Sequence, residues 1–288
     1  MSTTFQTITV DGLNIFYREA GTKDKPTIVL LHGYPASSHM YRDLIAKLSD
    51  QFHLIAPDYP GFGNSDTPPI DQFEYSFDHL ADITEHFLQE LGLTRFSLYV
   101  QDYGAPVGFR IATRHPEWIQ TLIVQNGNAY EEGLTPAWQA FRDLWKERSE
   151  ATEATVRDFL KRDTTIFFYT AGTRARQNIN SDNWNLDQYF LERPENAAAQ
   201  MELFYNYRTN LDQYPHWHEY FRTHQPPTLV VWGKNDPFFG PAGANAFQRD
   251  LKNIEVHLLD TGHFALEEEG EAIADHIRRF LPAHIASS

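Results

Sequence analysis

Apolar residues in the first part of the chain fall into two kinds of run: short blocks of four to seven residues closed by turn residues, and longer stretches with helical spacing. Thr7–Val10 and Asn14–Arg18 flank Asp11-Gly12 and predict a β-hairpin. Thr27–Leu31 is an unbroken apolar run ending in His32-Gly33-Tyr34-Pro35, the pattern of a strand buried on both faces. A short helix is expected over Tyr41–Leu48, then a strand over His53–Ala56 that runs into the turn-rich Pro57–Asp66. Phe77–Leu91 places Leu80, Ile83, Phe87 and Leu91 on one helical stripe, with Gly92 just past its end. Phe96–Val100 is the next strand. It runs straight into Gln101-Asp102-Tyr103-Gly104, and a helix over Pro106–His115 follows with proline in its first turn. Thr121–Gln125 closes this series.

The alternation of strand and helix stops near Asn128. From there to about Thr223 the spacing is helical throughout, with Trp138, Phe141, Leu144 and Trp145 forming one stripe and Met201, Phe204 and Tyr207 another. After Pro226-Pro227 the strand pattern returns in Thr228–Trp232 and Ile254–Leu259, and a last helix is expected over Glu267–Leu281. Alternating strands and helices imply an α/β fold with a mostly parallel sheet flanked by helices. The expected organisation is a core of residues 1–127 and 224–288, interrupted by a helical cap of residues 128–223 over the carboxyl edge of the sheet.

Composition narrows the function. The 288 residues carry a net charge of −15, which argues against a nucleic-acid or anionic-membrane surface. Cysteine is absent, so disulfides, thiolate metal sites and a cysteine nucleophile are excluded. The N-terminal MSTTFQTITVDG has no basic and apolar signal pattern, no apolar run reaches membrane-spanning length, and a cytoplasmic protein is the expectation.

In open parallel sheets, ligands bind beyond the carboxyl ends of the strands. Four groups fall there: His32-Gly33-Tyr34, Asp102, Asp236 in Gly233-Lys-Asn-Asp-Pro237, and His263 in Gly262-His263-Phe264. Each has a bland reading, Asp102 as a helix cap, Asp236 as a turn residue, His263 as one of thirteen histidines. Their common edge and their order (nucleophile, acid, histidine) favour a catalytic set. His263 would activate water, Asp236 would hold its imidazole, and the amides of Tyr34 and Tyr103 would form an oxyanion hole. Asp260 is a rival acid, set awkwardly close before His263; Asn126 and Asn128 are neutral and cannot replace a charged acid. His216-Trp-His218 lacks a carboxylate at ligand spacing, so no metal or other cofactor is expected.

With those residues in place, nearly the whole chain resembles the α/β-hydrolase superfamily, and within it the branch of epoxide hydrolases and haloalkane dehalogenases. The resemblance rests on His32-Gly33-Tyr34-Pro35, on Ala56–Asp66, on Gln101-Asp102-Tyr103-Gly104 with aspartate at the elbow, on Trp232–Asp236 and on Gly262-His263-Phe264. It implies that Asp102 displaces a leaving group at an sp³ carbon and that water activated by His263 hydrolyses the resulting ester.

The leaving group divides the branch. Haloalkane dehalogenases generally carry a tryptophan directly after the nucleophile; here Tyr103 stands there, so a phenol or a cap tryptophan (Trp138, Trp145, Trp184 or Trp217) would have to hold a halide. Fluoroacetate dehalogenases carry arginines where this chain has Tyr103 and Pro106. Epoxide hydrolases protonate the opening oxygen with two cap tyrosines. Tyr205-Asn206-Tyr207-Arg208 resembles the segment carrying the second, which points to Tyr207 with Tyr205 beside it. The first falls near Ile166–Gly172, where Phe167 takes the expected tyrosine position and Tyr169 follows two residues later. Phe264 and Phe167 complete the expected substrate-side residues. Epoxide hydrolysis of a small apolar substrate is the favoured reading, haloalkane dehalogenation the alternative, and a non-catalytic small-molecule receptor on the same fold the alternative of another class.

Overall fold

A computed structural model describes residues 2–285. Eight strands form one sheet: β1 (Thr4–Val10), β2 (Leu13–Ala20), β3 (Thr27–Leu31), β4 (His53–Pro57), β5 (Phe96–Gln101), β6 (Ile119–Gln125), β7 (Thr228–Gly233) and β8 (Ile254–Leu259). Their spatial order is β1-β2-β4-β3-β5-β6-β7-β8. The β1–β2 hairpin pairs antiparallel with itself and with β4, and every later pairing is parallel. The expected α/β fold with a mostly parallel sheet is therefore what the chain adopts. β3, β5 and β7 are buried at every residue, β3 and β7 in keeping with their apolar runs and β5 despite Ser97 and Gln101.

The helices that cover the sheet are α1 (Arg42–Leu48), α2 (Phe77–Glu90), α3 (Gly104–Arg114), α10 (Pro241–Ala246) and α11 (Leu266–His284). α1 packs on α11 and α2 on α3. α2 starts where Ser76 accepts a hydrogen bond from the His79 amide, and its inward stripe includes the expected Leu80, Ile83 and Phe87. α3 starts two residues earlier than its proline suggested, because the chain turns into helix directly after Asp102 and Tyr103.

Between β6 and β7 lie α4 (Gln139–Lys146), α5 (Glu150–Val156), α6 (Arg162–Thr170), α7 (Ser181–Leu191), α8 (Asn196–Asn206) and α9 (Arg208–His224), joined by short 3₁₀ turns. Within this insert the described residues contain no strand; an isolated antiparallel bridge ties Leu134 to Phe239 of the core. α9 carries Pro215 in its interior, so helical spacing there outweighs the proline. Among the described residues, no helix is long and apolar enough to cross a membrane.

The strand order sets where chemistry can occur. From β3 the chain moves one way to β4 and the other way to β5, so the loops leaving β3 and β5 part from each other and open a crevice between them. The close approach at that point requires glycine. A methyl on Gly33 would overlap the Asp102 side chain, and one on Gly104 would overlap the Leu31 carbonyl at the end of β3. Gly104→Ala is therefore expected to destabilise the fold by roughly 1–3 kcal/mol, because the obstacle is backbone and cannot swing aside. Urea denaturation monitored by tryptophan fluorescence measures this, and an unchanged midpoint would contradict the close approach.

Candidate active site

Asp102 sits one residue past β5 in a left-handed conformation, with φ of 48°. That region is unfavourable for any residue with a Cβ, and here the surroundings hold it. The Asp102 amide donates to the Asn126 carbonyl at 3.2 Å, and its carbonyl accepts from the Ala105 amide at 3.0 Å, closing the turn into α3. The turn aims the carboxylate at the β3 loop, where the Tyr34 amide donates to Oδ1 at 2.7 Å. The Tyr103 amide also favours the charged form. Burial acts against it and dominates: the carboxyl is pushed up to about 6, although His263 and the two amides pull the other way.

His263 leaves the end of β8 and is fully buried. Its Nδ1 lies 2.8 Å from Asp236 Oδ2, and its Nε2 lies 3.9 Å from Asp102 Oδ2. An anionic Asp236 requires the proton on Nδ1, which leaves Nε2 with its lone pair. Asp236, after β7, is itself held by two donors: Asn126 Nδ2 at 2.8 Å on Oδ2 and the Phe238 amide at 2.8 Å on Oδ1. Burial lowers the imidazole's affinity for a proton, but the two carboxylates outweigh it, so His263 is raised above its ordinary value. Asp260 is exposed and bound to Asn235 and Lys234, away from His263.

Above Asp102 is a tight cavity with about 20 Å³ of open space. Apart from that carboxylate, its lining consists of nine aromatic residues. Tyr34 and Tyr103 come from the core loops and Phe238 from the segment after β7; the insert contributes Trp138, Phe141, Phe159, Phe168, Phe204 and Tyr207.

The family model for the alpha/beta hydrolase fold matches residues 26–270. An uncharacterized hydrolase of Saccharomyces cerevisiae is 40% identical over 271 residues, covering 93% of each chain. A haloalkane dehalogenase of Mycolicibacterium paratuberculosis is 38% identical over 287 residues, covering 92% of this chain and 86% of its own. This chain belongs to the α/β-hydrolase fold family. A solved epoxide hydrolase shares the hydrolase fold with a TM-score of 0.80, over 98% of this chain and 99% of its own; at 19% identity the likeness is one of fold alone.

The structure of this hydrolase brings together Asp102, His263, Asp236, Tyr34, Tyr103 and Tyr207, and leaves four expected substrate-side residues outside the cavity. Tyr169 is corrected because its hydroxyl donates to buried Asp187 at 2.5 Å and its ring stacks on Phe264, 4.1 Å between centroids. Phe264 backs His263 edge-on rather than lining the cavity. Phe167 points outward and is 48% exposed, while its neighbour Phe168 faces in. Tyr205 lies against the Arg148 and Arg208 guanidiniums on the outer side of α8. The cap tryptophans do not offer a halide cradle. Trp138 Nε1 donates to the Phe238 carbonyl at 3.0 Å and Trp145 Nε1 to the Phe204 carbonyl at 2.8 Å, while Trp184 and Trp217 stand outside the lining. His218 bonds the Ala129 carbonyl, and no group of three metal-binding side chains occurs among the described residues.

Two residues escaped the sequence reading. Asn126, whose neutral side chain cannot serve as the acid, clamps both Asp236 and Gly233 with its amide. Tyr214, from α9, accepts from Asn128 Nδ2 at 3.0 Å, and burial together with the neighbouring Tyr214 pushes the Tyr207 phenol up. The place of Tyr214 in a helix interrupted by proline gave no hint of this.

The raised Asp102 carboxyl has a consequence for stability. Its affinity for a proton is higher folded than unfolded, where 3.8 is the reference, so its charge costs stability once the pH rises through about 6, and the cost disappears below the unfolded value. Asp102→Asn is expected to raise the thermal midpoint by a few degrees near pH 7.5, with the gain shrinking toward pH 4. Differential scanning calorimetry at both pH values checks this; a lower midpoint for the variant at pH 7.5 would refute it.

Proposed function

We propose that the protein is a hydrolase acting at sp³ carbon through an ester of Asp102, with epoxides of small apolar compounds as substrates. The observation that carries the reading is the pairing of a buried carboxylate with two phenols in one aromatic wall. Tyr103 and Tyr207 both line the cavity with Asp102, their rings 5.9 Å apart. The Tyr34 phenol, by contrast, donates to the Phe159 carbonyl at 2.6 Å. The helical insert serves as the cap that completes this wall over the core. An aromatic lining without a cationic side chain suits a neutral substrate and offers a substrate carboxylate no partner.

Asp102 attacks an epoxide carbon, its oxygen forming the new C–O bond as the ring C–O bond breaks. The ring oxygen becomes an alkoxide, a strong base that needs a proton close by. Tyr207 supplies it and becomes a phenolate; Tyr214, whose oxygen accepts from Asn128, then has its own O–H to donate to that phenolate. Water then gives a proton to His263 Nε2 while its oxygen bonds the Asp102 carboxyl carbon. The Tyr34 and Tyr103 amides hold the oxyanion. Collapse expels the second alcohol oxygen, which takes the imidazolium proton. The proton left on the Asp102 carboxyl restores the Tyr207 phenol.

A second reading, hydrolysis of carbon–halogen bonds, is favoured by the 38% identity to a protein named a haloalkane dehalogenase. The two differ in what the leaving group demands. Bromide or iodide needs hydrogen-bond stabilisation and no proton, and the indole N–H in the cavity wall, that of Trp138, is already committed to the Phe238 carbonyl.

Three outcomes are expected. Tyr207→Phe lowers diol formation from an aryl epoxide by about 100-fold or more and changes any halide release far less, as measured on a panel of epoxides and bromoalkanes. Halide release by a wild-type enzyme inert to epoxides would make dehalogenation the better reading. His263→Gln retains the nucleophile without the base, so mass spectrometry should find substrate mass on the Asp102 peptide; an unmodified peptide would sink the ester mechanism. Asp236→Asn should lower turnover by orders of magnitude with the fold intact, whereas Asp260→Asn should leave turnover near wild type; the reverse result would overturn the assignment of the acid.

A further inference from the structure

The mechanism above leaves one buried polar side chain beside the base without a task. Gln101, the last residue of β5, is fully buried, and its Nε2 lies 2.9 Å from His263 Nε2. Its Oε1 is buried with no hydrogen-bond partner among the described residues. A buried amide oxygen left unpaired is costly, and native proteins rarely keep one without a reason.

The imidazole states the reason. With Nδ1–H given to Asp236, neutral His263 offers at Nε2 a single in-plane lone pair, and the Gln101 N–H fills it. Once Nε2 has taken a proton from water it becomes a donor, and the same N–H then faces it as a second donor. A half-turn of the amide about its last torsion replaces the nitrogen with the free oxygen, which accepts from the imidazolium. Glutamine has both a donor and an acceptor on one planar group, so it can serve both protonation states without moving its stem.

We propose that Gln101 is a positioning residue for the hydrolytic step, a two-state partner of His263 that donates to the neutral imidazole and accepts from the imidazolium. This rests on the ester mechanism proposed above. During water activation the amide cedes the Nε2 lone pair to the water, and its oxygen meets the N–H that results. The groups facing the imidazole are few. Asp236 approaches from the loop after β7 and Asp102 from the β5 elbow; the remaining neighbours are the rings of Phe168 of α6, Phe238 and Phe239 after β7, and Phe264. In the ester, Asp102 has lost its charge. Gln101 is then the polar side chain placed to support Nε2 while Asp236 supports Nδ1.

Two variants of the full-length enzyme test this, with rapid-quench mass spectrometry of the Asp102 peptide separating ester formation from ester hydrolysis across pH. Gln101→Leu keeps bulk and removes both hydrogen-bonding groups. Ester formation should stay within about threefold of wild type, and hydrolysis should slow by about 10-fold or more, because a hydrogen bond to a charged group is the one lost. The acid limb of the hydrolysis profile should move to lower pH, as the imidazolium is left unsupported. Gln101→Glu supplies an acceptor for the imidazolium and no donor for the neutral ring, so that limb should move to higher pH. Opposite movements are the signature, since damage to packing would slow both steps and move both limbs alike. Wild-type hydrolysis rates and pH profile in Gln101→Leu, or equal slowing of both steps in it, overturn the role of Gln101 and leave the ester mechanism standing. A wild-type enzyme that forms no ester overturns both.

Discussion

A carboxylate is lodged where the sheet parts between β3 and β5, and much of the site is arranged to keep it there. Removing the Asp102 charge from bulk water is unfavourable, as its raised carboxyl shows, and the compensation is local: the amides of Tyr34 and Tyr103 and the imidazole beyond them. Those amides reach it because the β3 loop comes within contact distance, which Gly33 permits, and because the elbow is left-handed at Asp102. Asn126, also left-handed at φ 42°, links the elbow to the acid: its carbonyl receives the Asp102 amide, while its side chain binds Asp236 and Gly233. One residue at the end of β6 thus sets the nucleophile's turn and the acid's orientation together.

The core of this arrangement could be read in the chain because its signals are local and redundant. An unbroken apolar run ending in turn residues marks a buried parallel strand, and its carboxyl end is then known without further information. Asp236 follows such a run in β7, whereas β5 before Asp102 includes Ser97 and Gln101 and β8 before His263 alternates Glu255 and His257 with apolar residues. The aromatic insert is another matter. α6 contains Ile166-Phe-Phe-Tyr169, and apolar residues turning about 100° apiece cover most of the helix circumference, so spacing does not say which of them faces in. Phe168 does, Phe167 does not, and Tyr169 goes to a partner, Asp187, that lies eighteen positions away in α7. Tyr205 and Tyr207 pose the same problem with a clearer answer: two residues apart on a helical path they stand on nearly opposite sides, and they cannot share one wall. Tyr205 turns to Arg148 and Arg208, Tyr207 to the cavity.

Donor commitments were harder still to foresee. The sequence offers six tryptophans, and each indole carries one N–H. Whether that donor is free depends on which carbonyl the fold brings within reach. Trp138 and Trp145 give theirs to the Phe238 and Phe204 carbonyls, so the Trp138 ring builds the wall, with Trp145 packed beside it, while both polar ends serve the backbone. The same reasoning separates Tyr34 from its neighbours. Its ring lines the cavity, but its hydroxyl proton goes to Phe159 in the insert, where it ties the β3 loop to the cap.

In the ester mechanism proposed above, the wall's chemistry gives the two half-reactions unequal needs. A cavity lined by aromatic rings, with one anionic side chain, favours any step that removes the charge. Attack by Asp102 does so, since the ester is neutral. The following step must create charge again, an oxyanion at the Asp102 carboxyl carbon and an imidazolium beside it. It must do so in surroundings that solvate neither, so each new charge has to meet groups already in place: the Tyr34 and Tyr103 amides for the oxyanion, and Asp236, clamped by Asn126 and the Phe238 amide, for the imidazolium. Loss of the Asp102 charge also removes one of the two carboxylates that raise His263, which makes the neutral ring easier to keep at the moment it must act as a base. On that proposed mechanism the fixed dipoles and buried amides serve hydrolysis of the intermediate, and the first step falls to an ill-solvated carboxylate and a nearby phenol.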